Sequence, residues 1–214
     1  GADAEEMKAY LLDGEQRALA LANRGPLIFD GHGDLDPAIR EAYSRYGFYI
    51  FEGVIDAAEL QDIHADLDAM RARFPTGPES RVDAQGEPGL GVDHSALTLV
   101  WSKPLGDPLG GTDLANGRHE IKMFEPAAAS DTPAAAPFLL LGSLQFSDAC
   151  LRVYGHPLLL QVAEQINGPD FAPFNEALFI KDPGIGAAVS WHQDGVTHWD
   201  SDQFEEDIHG FNFM

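Results

Sequence analysis

Near the end of the chain stands Trp191-His192-Gln193-Asp194, a His-x-Asp pair. On a β-strand, residues i and i+2 project to the same face, because side chains alternate with period two. His192 and Asp194 would then offer an imidazole nitrogen and a carboxylate oxygen to one point in space. Those are two of the three donors of a 2-His-1-carboxylate facial site, which holds Fe(II) and leaves coordination positions open for small ligands. Three-residue patterns also arise by chance, and a lone histidine is more often a hydrogen-bonded structural residue, so context must decide.

The elements that would position this pair are read from patterning. A turn at Asp182-Pro183-Gly184 separates a strand over 175–181 from a second strand over 186–191, which leads into the motif. Residues 209–214 read as the start of another strand. Upstream, Met7, Leu11, Leu12, Leu19 and Leu21 mark an amphipathic helix over 3–23, ended by Gly25-Pro26. Asp36-Pro37 predicts a helix start with Asp36 as cap, running to about Tyr46 and broken by Gly47. A short strand follows at 48–51. Asp56 opens a further helix to about Arg73, with Leu60, Ile63, Leu67 and Met70 on one face. Residues 75–118 are dense in Gly and Pro and read as a long functional loop or lid. A strand is expected over 119–124, a connector over 127–137, and helices over 143–153 and 157–167. Helices first and strands later make an α+β fold. One domain is expected over 1–214: a helical region to about 73, the long loop, then a β region from about 119.

Composition narrows the function classes. The chain has 214 residues, 44% of them hydrophobic, enough for a buried core. Thirteen basic against 35 acidic residues give a formal charge of −22, which repels phosphate backbones and excludes a nucleic-acid partner. Cys150 is the single cysteine, so no intramolecular disulfide forms; it reads as a small core residue rather than a nucleophile. No signal-like segment or membrane-length apolar run is present, Gly1 reads as a processed start, and a cytoplasmic protein is expected. Gly89-x-Gly91 and Gly110-Gly111 lack the strand-to-helix setting of a phosphate loop.

Trp191-His192-Gln193-Asp194 after Lys181-Asp182-Pro183-Gly184-Ile185-Gly186 resembles the phytanoyl-CoA dioxygenase family of Fe(II)/2-oxoglutarate oxygenases. Tyr46-Gly47-Phe48, Gly53-Val54-Ile55 and the helix after them are similar to that family's opening. The likeness covers roughly residues 40–73 and 143–214. It implies a double-stranded β-helix, or jelly roll, with N-terminal and flanking helices. It also implies a dioxygenase that hydroxylates a small organic substrate with Fe(II) and 2-oxoglutarate, releasing succinate and CO2. By the resemblance, His192 and Asp194 are iron ligands. Asn175, Lys122 and Asn212 are candidates for the cosubstrate carboxylates, and Trp199, Thr197 and Phe179 for the substrate side.

Trp191 is a further candidate for the pocket rim, and plainer readings stand beside three of these: Asn175 as a cap at the strand start, Lys122 as a surface lysine, Trp191 as core. On strand 175–181 the odd-numbered residues share a face, so an inward Asn175 makes Phe179 an inner wall. The family's distal His and Arg have no counterpart here, since His198 and His209 come too early. The chain is therefore expected to be the N-terminal part of a longer polypeptide, the remainder of which supplies the last strands and partners the exposed sheet edge. The rival readings are a non-catalytic β-sandwich binding module and a cupin-like metal enzyme that uses no 2-oxoglutarate.

Overall fold

The computed structural model describes residues 2–108, 126–173, 175–189, 210 and 212–214. The chain divides into two compact units, Gly1–Asp56 and Ala57–Met214.

In the first unit, helix α1 (Ala2–Leu19) stops four residues short of the predicted end, and its large apolar side chains stay exposed: Met7, Tyr10, Leu11, Leu12 and Leu19 are all more than half accessible. The Gly25-Pro26 pair, expected only to end a helix, belongs instead to strand β1 (Arg24–Pro26). Helix α2 (Pro37–Tyr46) forms where Asp36-Pro37 predicts it. The Asp36 carboxylate accepts the Ala38 N–H at 2.7 Å, and Gly47 closes the far end at φ 79°, its N–H donating to the Tyr43 carbonyl. That left-handed backbone favours glycine over any residue with a Cβ. Strand β2 (Ile50–Glu52) starts two residues later and ends one residue later than its aromatic run suggests, and pairs parallel with β1, Arg24 opposite Ile50 and Pro26 opposite Glu52.

The second unit opens with α3 (Ala57–Ala72), within a residue of its predicted limits. The region expected to be one long loop contains two ordered features. Residues 76–89 fold back on themselves, with Thr76 and Val82 joined through the backbone and Gly89 bonded to Arg81. The buried Asp83 carboxylate accepts the N–H groups of Gln85 and Glu87 at 2.9 and 3.0 Å. Strand β3 (Leu99–Ser102) then pairs antiparallel with β4 (Ala136–Leu141), whose first residues were read as connector. Each is a short apolar run among Gly, Pro or Ala, and such a run becomes a strand only when a partner supplies the ladder. Strand β5 (Ala177–Phe179) pairs antiparallel with the other edge of β4, giving the order β3-β4-β5.

After β4, a 3-10 turn (Ser143–Gln145) precedes α4 (Asp148–Tyr154) and α5 (Pro157–Asn167). The single helix expected over 143–153 is thus two pieces, divided where Ser147 caps α4. Alternate residues of β4 (Ala136, Phe138 and Leu140) are buried, and a core cluster joins Met70, Leu90, Leu99, Leu140 and Cys150. Leu67, Trp101, Leu178 and Ile180 pack on its margin, so α3 and all three strands meet there, and Cys150 is the core residue expected.

The predicted strand over 186–191 is not seen in its described part, residues 186–189, where Gly186 closes the turn onto Asp182 and Ala188 bonds Gly106 without a ladder. Gly210 and residues 212–214 likewise are not strand, because no ladder forms on them among the described residues. The expected strand over 119–124 lies outside the described residues. The architecture is α+β, with a three-stranded antiparallel and a two-stranded parallel sheet among the described residues, and a double-stranded β-helix is not seen among them. No described helix is long and apolar enough to cross a membrane.

Candidate active site

The backbone that leads to the His-x-Asp pair is fixed from two directions. Helix α3 reaches it through Arg71, whose guanidinium Nη2 donates to Asp182 Oδ2 at 2.5 Å. The hydrogen bond to Asp182 raises the Arg71 pKa above its ordinary value, so the arginine carries its charge at any working pH. The Asp182 backbone carbonyl accepts the N–H groups of Gly186 at 2.8 Å and Ile185 at 3.2 Å, closing the predicted turn. Gly184 takes φ 78°, where a Cβ would be strained. At Gly186 the constraint is space: a Cβ would stand 2.8 Å from Lys181 Cα and 3.0 Å from Asp182 N.

The second direction is the segment after β3. The Leu105 N–H donates to the Ile185 carbonyl at 3.0 Å, and the Ala188 N–H donates to the Gly106 carbonyl at 2.8 Å. Leu105 is the one non-glycine at positive φ (58°) among the described residues. Ala187, between these bonds, is buried. Beside them lies an open hollow of about 310 Å3 lined by Trp101, Ser102, Lys103, Gly106, Asp107 and Pro108.

Of the residues singled out from sequence, His192, Asp194, Lys122, Thr197 and Trp199 lie outside the described residues, as do Trp191, His198 and His209. Asn175 is exposed and sits two residues before β5; Asn212 is exposed near the chain's end. Phe179, the last residue of β5, is also exposed and meets Phe138 edge-on, ring centroids 5.7 Å apart. Leu178 and Ile180, of the opposite parity, pack against the core, which leaves the odd-numbered face, with Asn175 just before it, away from the cluster. Among the described residues no group of three His, Cys, Asp or Glu side chains could hold a metal ion.

Sequence reading missed Arg71, and it read Asp182 only as a turn former. No local pattern links two residues 111 apart. Glu176 was also missed: its carboxylate accepts the buried Ser143 hydroxyl at 2.6 Å, tying the approach to β5 to the turn after β4.

Comparison with known proteins bears on what such a site is for. No curated protein sequence matches the chain. A family profile does, that of phytanoyl-CoA dioxygenase (PhyH), over residues 43–213. The match spans most of the chain, runs through α3, the three-stranded sheet and the His-x-Asp pair, and leaves out α1 and β1. Enzymes of this kind are jelly-roll proteins that use Fe(II) and 2-oxoglutarate. The chain belongs to the phytanoyl-CoA dioxygenase family.

Proposed function

We propose that this protein hydroxylates a small organic substrate in a reaction dependent on Fe(II) and 2-oxoglutarate, releasing succinate and CO2. The observation that carries the reading is the family match over residues 43–213, which contains His192 and Asp194 at the spacing an iron site needs. The donor set fits the metal: a neutral imidazole and a carboxylate are the nitrogen and oxygen ligands that non-haem Fe(II) takes. Iron and 2-oxoglutarate, when bound, supply the oxidising chemistry.

The chain's own residues bind, orient and exclude water. His192 and Asp194 would hold the metal, the aspartate as its carboxylate. Asn175, Lys122 and Asn212 are the candidates for the cosubstrate carboxylates, by amide hydrogen bonds or as a cation. Thr197, Trp199 and Phe179 are the candidates for the substrate side; an exposed Phe179 offers an apolar surface that a substrate would cover. A strongly anionic substrate such as a coenzyme-A ester would meet an unfavourable average field from a chain of net charge −22.

The test is aerobic turnover of the full-length polypeptide with Fe(II) and 2-oxoglutarate. Succinate should be released in step with cosubstrate consumption, and both His192→Ala and Asp194→Ala should fall to background. Activity retained by Asp194→Ala would remove the ligand assignment.

A further inference from the structure

We infer that α1 is a self-association element: its exposed face docks on α1 of a second copy of this chain, the two helices running antiparallel. The starting observation is a helix left bare. Met7, Tyr10, Leu11, Leu12 and Leu19 are 51–66% exposed. An isolated helix of this length is marginal in water, and most helices are held by packing an apolar face. The family match begins at residue 43, so α1 stands outside the part that the chain shares with the dioxygenases.

Spacing and size both fit a second copy. Ala4, Met7, Leu11, Gly14 and Ala18 recur at intervals of three and four, the a and d positions of a heptad, on one side of the helix. Gly14 is the informative member, because a glycine inside a helix weakens it. It has no positive φ to require it, and a Cβ there would meet nothing within 4 Å in its own chain. A close neighbour from outside accounts for it. In an antiparallel pair the a positions of one helix face the d positions of the other. Leu11 then packs over Gly14 of the second copy and Met7 over its Ala18, so each layer joins a large side chain to a small one.

The charges select the same arrangement. Lys8 and Glu15 hold the e positions beside the seam, and antiparallel pairing sets e opposite e, so Lys8 of each copy meets Glu15 of the other. Within one helix the two lie about 10 Å apart along the axis, too far to pair. Arg17 is already held by Asp13 of its own helix at 2.9 Å. A parallel pair would set Gly14 against Gly14, leaving a gap, and Glu15 beside Tyr10. An anionic membrane surface calls for a basic helix, and here Asp3, Glu5, Glu6, Asp13 and Glu15 outweigh Lys8 and Arg17. Each copy carries −22, so the dimer is weak and needs physiological salt, which screens charges beyond ~8 Å.

The test is the mass of the full-length polypeptide by sedimentation equilibrium at about 0.15 M salt, from roughly 1 to 200 μM, which brackets a micromolar Kd. Wild type should pass from monomer to dimer. Leu11→Glu puts a charge into the seam of both helices and should raise the dimer Kd about a hundredfold. The thermal melt should barely change, since Leu11 is 61% exposed. Lys8→Glu and Glu15→Lys should each raise the Kd about tenfold, by turning two attractive pairs into repulsive ones. Lys8→Glu/Glu15→Lys should return it close to wild type. Glu15→Lys lowers the net negative charge, so a tighter dimer in that variant would mean that overall repulsion governs and would overturn the pairing, as would a double variant that does not recover. A dimer that Leu11→Glu leaves intact would overturn the inference. So would a wild type monomeric throughout; slow, concentration-independent amide exchange in α1 would then assign the face to the rest of the polypeptide, and co-sedimentation with phosphatidylglycerol vesicles to a membrane.

Discussion

The two units of the molecule are held by bonds of different reach. In Gly1–Asp56 the reach is shorter: Asp30 accepts from His32 and Asp34, Asp36 accepts from Ala38, and the buried Asn23 amide donates to the Phe48 carbonyl 25 residues away at 3.5 Å. In Ala57–Met214 local bonds such as those of Asp83 are joined by others that span the sequence. Asp66 on α3 accepts the Ser147 hydroxyl 81 residues away, Arg152 on α4 pairs with Asp62 across 90, and Arg71 reaches Asp182 across 111. Helix α3 is therefore a hub, holding α4 on one turn and the approach to His192 on its last. The lesson is that a local cap organises its own helix, whereas a cap supplied from another element makes two elements depend on each other.

The sharpest way to break the contrast is at the core that α3 shares with the sheet. Leu140, 1% exposed, touches the cluster from the central strand. Leu140→Ala should cost about 2–5 kcal/mol of stability, read by denaturant unfolding, and should loosen α3, α4 and β4 together. A loss confined to one element would separate what the hub model joins.

A smaller and more discriminating effect is expected at the α4 cap. The Ser147 hydroxyl accepts the Cys150 N–H at 2.9 Å and donates to Asp66 at 2.7 Å, and Asp66 also accepts the Ala149 N–H at 3.2 Å. Ser147→Ala should cost about 1–2 kcal/mol, measured the same way. The Ser147 hydrogen bond, helped by the one from Ala149, lowers the Asp66 pKa from its ordinary value. Since the folded pKa is the lower one, the stabilisation is full above the unfolded carboxylate value of about 4 and is lost as pH falls through the folded value. Asp66→Asn should therefore flatten the dependence of stability on pH below about 4, with little change in slope near neutrality.

The smallest of these effects belongs to the local cap. Asp36→Ala removes one bond, to Ala38, and should cost about 0.5–1 kcal/mol, seen as fraying of α2 by amide exchange. Protection in α3 and α4 should be unaltered.

This contrast also explains what could be read from sequence. Helix α2 was legible because Asp36, Pro37 and Gly47 are local signals, and α5 because His156-Pro157 opens it and Gly168 closes it. Strands β3 and β4 were not, since Leu99–Ser102 and Ala136–Leu141 are too short to show a period and exist through pairing with each other. The same limit fell on the site. His192 and Asp194 were singled out as candidates by type, spacing, their place after a strand-turn-strand pattern and the family resemblance together. The clamp on the backbone before them, through Arg71, Leu105 and Gly106, is a matter of contacts between distant stretches of chain.

The single thiol has a practical consequence. Cys150 lies 9% exposed in the cluster that joins helix and sheet. A thiol reagent can reach it only when that cluster opens, so the labelling rate becomes a stopwatch for excursions of the hub. With no second thiol to compete, each modification event counts one opening of the larger unit.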